Sequence, residues 1–343
     1  MSIRKKIKVL VVDDSLIFRE ALARGIASDP SLEVVGTAAD PFQARDRILE
    51  LEPDVMTLDV EMPRMNGIEF LKRLMPQYPL PVVVVSAVDG IVFDALNAGA
   101  VDFAAKPDYK AGRGIEPLIK ELIIKIKIAS TARVGHMKRN MDSGSISTGA
   151  KPGRRNIIIA IGSSTGGTEA IYTILKALPE QTPGIVVVQH MPPVFTKLYA
   201  ERLNNSCAME VKEAQTLDRV QPGRVLIAPG DCHMRIKKSE NGYVVECFRG
   251  EKVSGHCPSV DILFESVALH AGKDSIGVIL TGMGYDGAKG LLDMRRKGAG
   301  TIGQDESSCV VYGMPKAAYN IGAVERQVPL TEIPQLIYAM VSE

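Results

Sequence analysis

Five short apolar runs, at positions 8–12, 33–38, 55–58, 82–86 and 102–105, alternate with helical patterns such as 16–28 and 44–51. Runs this short, rich in Val, Ile and Leu and largely without polar alternation, suit strands buried on both faces. Strands of that kind separated by helices require a parallel sheet with helices on either side. Five such units within residues 1–125 predict a flavodoxin-like, doubly wound first domain.

From 126 to 153 the sequence turns polar and basic, with Gly and Ser in S-G-S-I-S-T-G-A-K-P-G, and reads as a flexible linker. Strand and helix patterns resume over 154–343. Strands are predicted at 157–161, 184–189, 224–228, 275–281 and 301–304, and helices at 168–178 and 260–271. An antiparallel hairpin is predicted from 234–238 and 243–248, turned at Glu240-Asn241-Gly242. The 343 residues therefore predict two α/β domains with parallel sheets, the second carrying a small antiparallel hairpin.

The formal net charge of +1 makes no demand for nucleic acid or an anionic membrane as partner. The apolar run at 7–12 ends in Asp13 and Asp14 with no small-residue cleavage site, so it reads as a first strand and not a targeting segment. No apolar stretch reaches membrane-spanning length, so direct membrane insertion is not expected. The five cysteines, Cys207, Cys232, Cys247, Cys257 and Cys309, form no C-x-x-C pair. They read as reduced thiols of a cytoplasmic protein.

In a parallel sheet, residues that follow the strands gather at one edge. Asp13 and Asp14 follow the first strand, Asp59 ends the third, Ser86 ends the fourth and Lys106 follows the fifth. Three crowded carboxylates repel, and a hard divalent cation such as Mg²⁺ relieves that while leaving positions for a phosphoryl group. A hydroxyl and an ammonium then neutralise phosphoryl oxygens, with Asp59 as acceptor nucleophile. Each aspartate alone reads as a turn or cap residue. The set together points to phosphoryl transfer.

These residues resemble the response-regulator receiver family over about 5–125, through V-V-D-D-S, L-D-V-E-M-P-R-M-N-G, V-V-V-V-S-A and D-F-A-A-K-P. The resemblance implies phosphorylation at Asp59, Mg²⁺ held by Asp13, Asp14 and Asp59, and phosphoryl sensing by Ser86 and Lys106, with Phe103 at the aromatic switch position. Asn66 stands where M-D-G is more frequent.

In the second half, I-I-I-A-I-G-S-S-T-G-G-T-E-A-I-Y sets a strand, a sharp turn and a helix in succession. Gly162 to Gly166 fit G-x-S-x-G, which raises Ser164 at a sheet edge beside a helix N-terminus. A phosphate-binding turn or an inert tight turn are the alternatives; the run lacks G-x-x-x-x-G-K and the full G-x-G-x-x-G spacing. His190 ends the strand I-V-V-V-Q-H, and Asp286 lies in the loop G-M-G-Y-D-G after another strand. Serine, base and orienting acid are what acyl transfer needs, and the glycines flanking Met283 let backbone N–H groups approach an oxyanion. A strand-end histidine alone is more often structural, and Ser164, Asp231 and His256 form a competing set in the α/β-hydrolase order.

The second half resembles the chemotaxis protein-glutamate methylesterases over about 156–340, through G-S-S-T-G-G-T-E-A-I, V-V-V-Q-H-M-P, S-G-H-C-P-S-V-D-I-L-F and T-G-M-G-Y-D-G-A-K-G. The resemblance implies Ser164 as nucleophile, His190 as base, Asp286 as orienting acid, the Met283 N–H as oxyanion donor and Thr165 lining the site. It implies methyl-accepting chemoreceptors as substrates, deamidation of their glutamines as a companion activity, a chemotaxis histidine kinase as phosphodonor, and a receiver that restrains the esterase until phosphorylated. No cofactor is implied for the ester chemistry. Ser163 stands where the family often has Ala, and Cys257 where H-R-P or H-K-P is common. A different serine hydrolase and a non-catalytic scaffold are the rivals. A transcriptional regulator would need a helix-turn-helix pattern or a basic recognition helix, and neither is evident.

Overall fold

The computed structural model describes residues 5–87, 90–107, 114–134 and 157–342. The chain divides into two compact units, 1–137 and 138–343, which are taken in turn.

The first unit runs β1 (Ile7–Val12), α1 (Leu16–Ala27), β2 (Leu32–Ala38), α2 (Pro41–Leu51), β3 (Val55–Asp59), α3 (Gly67–Leu74), β4 (Val82–Ser86), α4 (Ile91–Asn97), β5 (Asp102–Ala105) and α5 (Glu116–Ala129). The strands pair in parallel in the order β2-β1-β3-β4-β5, the predicted flavodoxin-like winding. β3 and β4 are buried at every residue, as expected for strands covered by helices on both faces. Burying each Val or Leu side chain of these strands is worth about 1.5–3 kcal/mol.

Local signals set the helix starts. Asp40 caps α2 by accepting from the N–H groups of Phe42 and Gln43, both at 2.9 Å. Asn66 caps α3 by accepting from Glu69 N–H at 2.8 Å. Asparagine caps about as well as aspartate, which accounts for its tolerance there. α5 runs to Ala129, past the expected boundary at 125. Leu118, Leu122, Ile126 and Ala129 are buried at helical spacing and carry it on. The expected linker residues from 135 onward lie outside the described residues.

The second unit runs β6 (Ile158–Ser163), α6 (Gly167–Ala177), β7 (Ile185–Gln189), α7 (Phe195–Asn204), β8 (Glu210–Glu213), β9 (Arg219–Val220), β10 (Arg224–Ile227), β11 (His233–Ser239), β12 (Gly242–Phe248), α8 (Val260–His270), β13 (Ser275–Ile279), α9 (Ala288–Arg296), β14 (Gly300–Gln304), α10 (Met314–Asn320), β15 (Arg326–Val328) and α11 (Ile333–Ser342). Its main sheet is parallel, in the order β15-β14-β13-β6-β7-β10-β8. The winding reverses direction beside β6, so a crevice opens at the carboxyl ends of β6, β7 and β13. The predicted hairpin is present as β11–β12, and β9 adds a third antiparallel strand to it. Val260, Phe264, Leu291 and Met294 pack helices α8 and α9 over one face of the main sheet. Among the described residues no helix is long and apolar enough to cross a membrane.

Candidate active site

At the carboxyl edge of the first sheet, oxygens of Asp13, Asp14 and Asp59 lie within 4.8 Å of one another. Asp13 and Asp59 are buried, and Asp14 is exposed. Lys106 Nζ bridges two of them, donating to Asp13 Oδ2 at 2.9 Å and Asp59 Oδ2 at 2.6 Å. The same ammonium lies 4.8 Å from the centre of the Phe18 ring. Asp59 Oδ1 accepts from Glu61 N–H at 3.1 Å. Burial pushes the Asp59 carboxyl up to about 6, against the lowering by Lys106 and with Asp13 adding to the rise. Lys106 is lowered by burial, but its bonds to Asp59 and Asp13 outweigh that and hold it above its ordinary value.

The two remaining residues lie on β4 and β5. Ser86 is buried, and its carbonyl accepts from Lys106 N–H at 2.9 Å. Phe103 is buried in β5, with Lys125 Nζ 5.2 Å from its ring centre. Gly67 is required where α3 begins, because a Cβ there would lie 2.4 Å from the Asp59 carbonyl oxygen. The predicted phosphorylation cluster is thus brought together, with an all-oxygen donor set suited to a hard divalent cation.

In the second unit β6 ends at Ser163 and β7 at Gln189, which are register partners. Ser164 and His190 therefore stand side by side, and His190 N–H donates to the Ser163 carbonyl at 3.2 Å. Ser163 is fully buried and spends its hydroxyl on Gln189 Oε1 at 2.6 Å. Gln189 Nε2 in turn donates to the carbonyls of Ser164 at 2.9 Å and His190 at 3.1 Å. One buried amide thus ties together the backbone that carries both Ser164 and His190. Ser164 itself is only half-buried.

Asp286 is buried, and its bonds fix it from two sides. Oδ2 meets His190 Nε2 at 2.8 Å and accepts from Val260 N–H at 2.8 Å. Oδ1 accepts from the Ser259 hydroxyl at 2.8 Å and Asp261 N–H at 3.0 Å. The carboxylate thus caps α8 from a distant loop, where unsatisfied N–H groups favour negative charge. Burial raises Asp286, but His190 and these backbone donors outweigh it and hold the group below its ordinary value. With Asp286 an acceptor, His190 Nε2 carries the proton and donates. His190 Nδ1 is then the basic nitrogen, and it is buried without a hydrogen-bond partner.

Gly282 presses on Ser164: a Cβ there would lie 2.7 Å from Ser164 Cβ. It leads to Met283, which is 45% exposed at the rim. Thr165 is buried, and its carbonyl accepts from the Thr281 hydroxyl at 3.0 Å. Of the competing set, His256 stacks on His190 with ring centroids 3.7 Å apart. Burial and the adjacent His190 push it down to about 4. Among the described residues no hydrogen bond joins Asp231 to His256, whereas Asp286 meets His190 directly. Gln189, Ser259, Asp261 and the His256 stack were not singled out by sequence reasoning as parts of this site.

The chain matches the family described as CheB methylesterase over residues 159–337 and the response regulator receiver domain over residues 9–112. It is 61% identical over 339 residues to "Protein-glutamate methylesterase/protein-glutamine glutaminase 2" of Syntrophomonas wolfei, covering 99% of each chain. It is 54% identical over 348 residues to "Protein-glutamate methylesterase/protein-glutamine glutaminase" of Syntrophotalea carbinolica, again covering 99% of each. The crystal structure of the Thermotoga maritima CheB methylesterase catalytic domain aligns with a TM-score of 0.53 and 39% identity, over 55% of this chain and 100% of that one. Two α/β units in this order, with those carboxylates at one sheet edge and that serine–histidine–aspartate arrangement at the other, agree with full-length identity of this size, and the chain belongs to the protein-glutamate methylesterase family of chemotaxis response regulators.

Proposed function

We propose that the chain hydrolyses glutamyl methyl esters on methyl-accepting chemoreceptors through Ser164, His190 and Asp286, and that phosphorylation of Asp59 activates it. The observation that carries the reading is the His190 ring, bonded to Asp286 at Nε2 and unpartnered at a buried Nδ1, at the end of the strand that pairs with the one leading to Ser164. His190 Nδ1 takes the Ser164 proton as Oγ bonds to the ester carbonyl carbon. Backbone N–H at Met283 faces the developing oxyanion, with Thr165 lining the site. His190 then returns the proton to the methoxy oxygen as the C–O bond breaks, and methanol leaves. Water repeats the cycle on the acyl-enzyme, freeing glutamate and Ser164. An amide follows the same course with ammonia leaving, which supports the glutaminase activity named for the relatives.

In the receiver, Asp13, Asp14 and Asp59 would hold Mg²⁺, whose charge offsets that of the phosphoryl group. An Asp59 carboxylate oxygen attacks the phosphorus of the donor's phosphohistidine, the P–N bond breaks as the imidazole leaves, and Lys106 and Ser86 flank the acyl phosphate that forms. Phe103 then serves as the aromatic that reports the change. A chemotaxis histidine kinase is the phosphodonor, acting in the cytoplasm where the receptor helices are reached.

The test is methanol release from methylated chemoreceptor membranes by the full chain with acetyl phosphate and Mg²⁺. Release that is lost in Ser164→Ala supports the reading; equal release from that variant refutes it.

A further inference from the structure

His190 has one hydrogen bond on its ring, and that bond together with the covalent tether at Cγ fixes an axis but not a plane. With Nδ1 unpartnered, a ring tethered at Cγ and bonded at Nε2 keeps a rotation about the line that joins those two atoms. The second restraint is another imidazole. The His256 and His190 rings lie 3.7 Å apart, centroid to centroid, with planes 7° apart. Stacked rings restrain each other in the tilt that a single hydrogen bond leaves open.

The His256 backbone is itself anchored, by a reciprocal pair of bonds to Val253. Its N–H donates to the Val253 carbonyl at 2.9 Å, and its carbonyl accepts from Val253 N–H at 3.0 Å. A few residues on, Ser259, Val260 and Asp261 all donate to Asp286. One short segment, 253–261, therefore grips the acid and covers the base in a single span.

We propose that His256 is a positioning residue of the hydrolytic site, whose aromatic face fixes the plane of His190 so that Nδ1 stays aimed at the Ser164 hydroxyl. The proposal rests on the serine hydrolase reading and deepens it. Its chemistry is that of a planar, uncharged ring. The low proton affinity of His256 agrees, since a second cation against the His190 imidazolium would oppose proton transfer. A neutral ring face beside that imidazolium favours it.

The full chain, phosphorylated with acetyl phosphate and Mg²⁺, is assayed for methyl ester turnover and for the rate of labelling by a fluorophosphonate. His256→Ala is expected to lose about tenfold to a hundredfold in kcat and labelling rate, the size of effect that a misplaced catalytic group produces. KM should stay within about twofold, because no ground-state contact is removed. His256→Phe keeps the flat face and should stay within about threefold of the unmodified chain. His256→Gln keeps polarity without the ring and should resemble the alanine variant. Retention by Gln with loss in Phe would mean that His256 acts by hydrogen bonding, and full activity in Ala would mean that it does nothing for the base; either overturns the proposal. If the alanine variant does not fold, the Phe–Gln contrast, checked for matched thermal unfolding, decides. His190→Ala separates the two levels. A dead His190→Ala beside a flat His256 series sinks only the stack, whereas an active His190→Ala sinks the base and the stack together.

Discussion

His190 donates through Nε2 to Asp286 at 2.8 Å and keeps Nδ1 buried and unpartnered. The choice of nitrogen follows from the carboxylate. Asp286 accepts from Ser259, Val260 and Asp261 as well, so it is a fixed acceptor and His190 must present an N–H to it. The free nitrogen is then Nδ1, at the end of the strand beside Ser164. The carboxylate comes from a loop that reaches the N-terminus of α8.

Replacing that acid should be severe without unfolding the chain. Asp286→Asn puts an amide that can donate opposite Nε2 and allows the other tautomer, in which Nδ1 carries the proton. Turnover is expected to fall by about a thousandfold to ten-thousandfold. Ester hydrolysis beside a far-ultraviolet dichroism spectrum checks this, and near-normal turnover would place the acid elsewhere.

The two adjacent serines should separate cleanly. Ser164→Ala abolishes hydrolysis. Ser163→Ala removes a buried hydroxyl that supports Gln189 and nothing that faces the crevice. Its cost is expected as stability, about 1 kcal/mol for a hydrogen bond of this kind, with turnover largely kept. Chemical denaturation and initial rates on both variants decide it.

Asp59 carries two expectations. Acetyl phosphate with Mg²⁺ should phosphorylate the chain at Asp59, and Asp59→Asn should take up none; mass spectrometry locates the phosphoryl group. The second is a stability effect. The folded carboxyl is raised by burial from 3.8 to about 6, so over that range the folded state binds more protons than the unfolded. Stability of the N-terminal unit should therefore fall as pH rises from about 4 to about 6, and then level off. In metal-free buffer, Asp59→Asn should flatten that portion of the curve. An Asp59→Asn curve that falls through the window as steeply as the wild type would contradict the burial argument.

Much of this was legible in the sequence because parallel sheets make it so. Asp13, Asp59 and Ser86 sit at strand ends that read as apolar runs, and the winding brings such ends to one edge. Ser164 and His190 were legible for the same reason. What escaped depends on where a distant segment docks. Nothing local in S-G-H-C-P-S-V-D says that Ser259 to Asp261 will cap onto a carboxylate after β13, or that His256 will lie on His190. Gln189 points inward from a strand that reads simply as buried. β9 pairs over Arg219–Val220 alone, too short for any periodicity to show. The C-terminal end of α5 reads as linker in the sequence because its lysines, Lys125 and Lys127, mask the buried stripe that continues to Ala129.

Phosphorylation is expected to act by relieving restraint. A chain beginning near residue 153 should outrun the unphosphorylated full chain and ignore acetyl phosphate. A shift of about 1.4 kcal/mol in the restrained equilibrium changes a small active fraction tenfold, so modest coupling suffices. Equal rates for that chain and the unphosphorylated full protein would remove restraint from the account.

The central claim is that Ser164 is the nucleophile that His190 activates, and the most direct measurement is to find where a fluorophosphonate bonds. The phosphorylated full chain is labelled, digested and sequenced by tandem mass spectrometry, alongside His190→Ala. A single adduct is expected on Ser164, and His190→Ala should fail to form it. An adduct on Ser163 or Cys257, or one on Ser164 that forms as fast without His190, would contradict it.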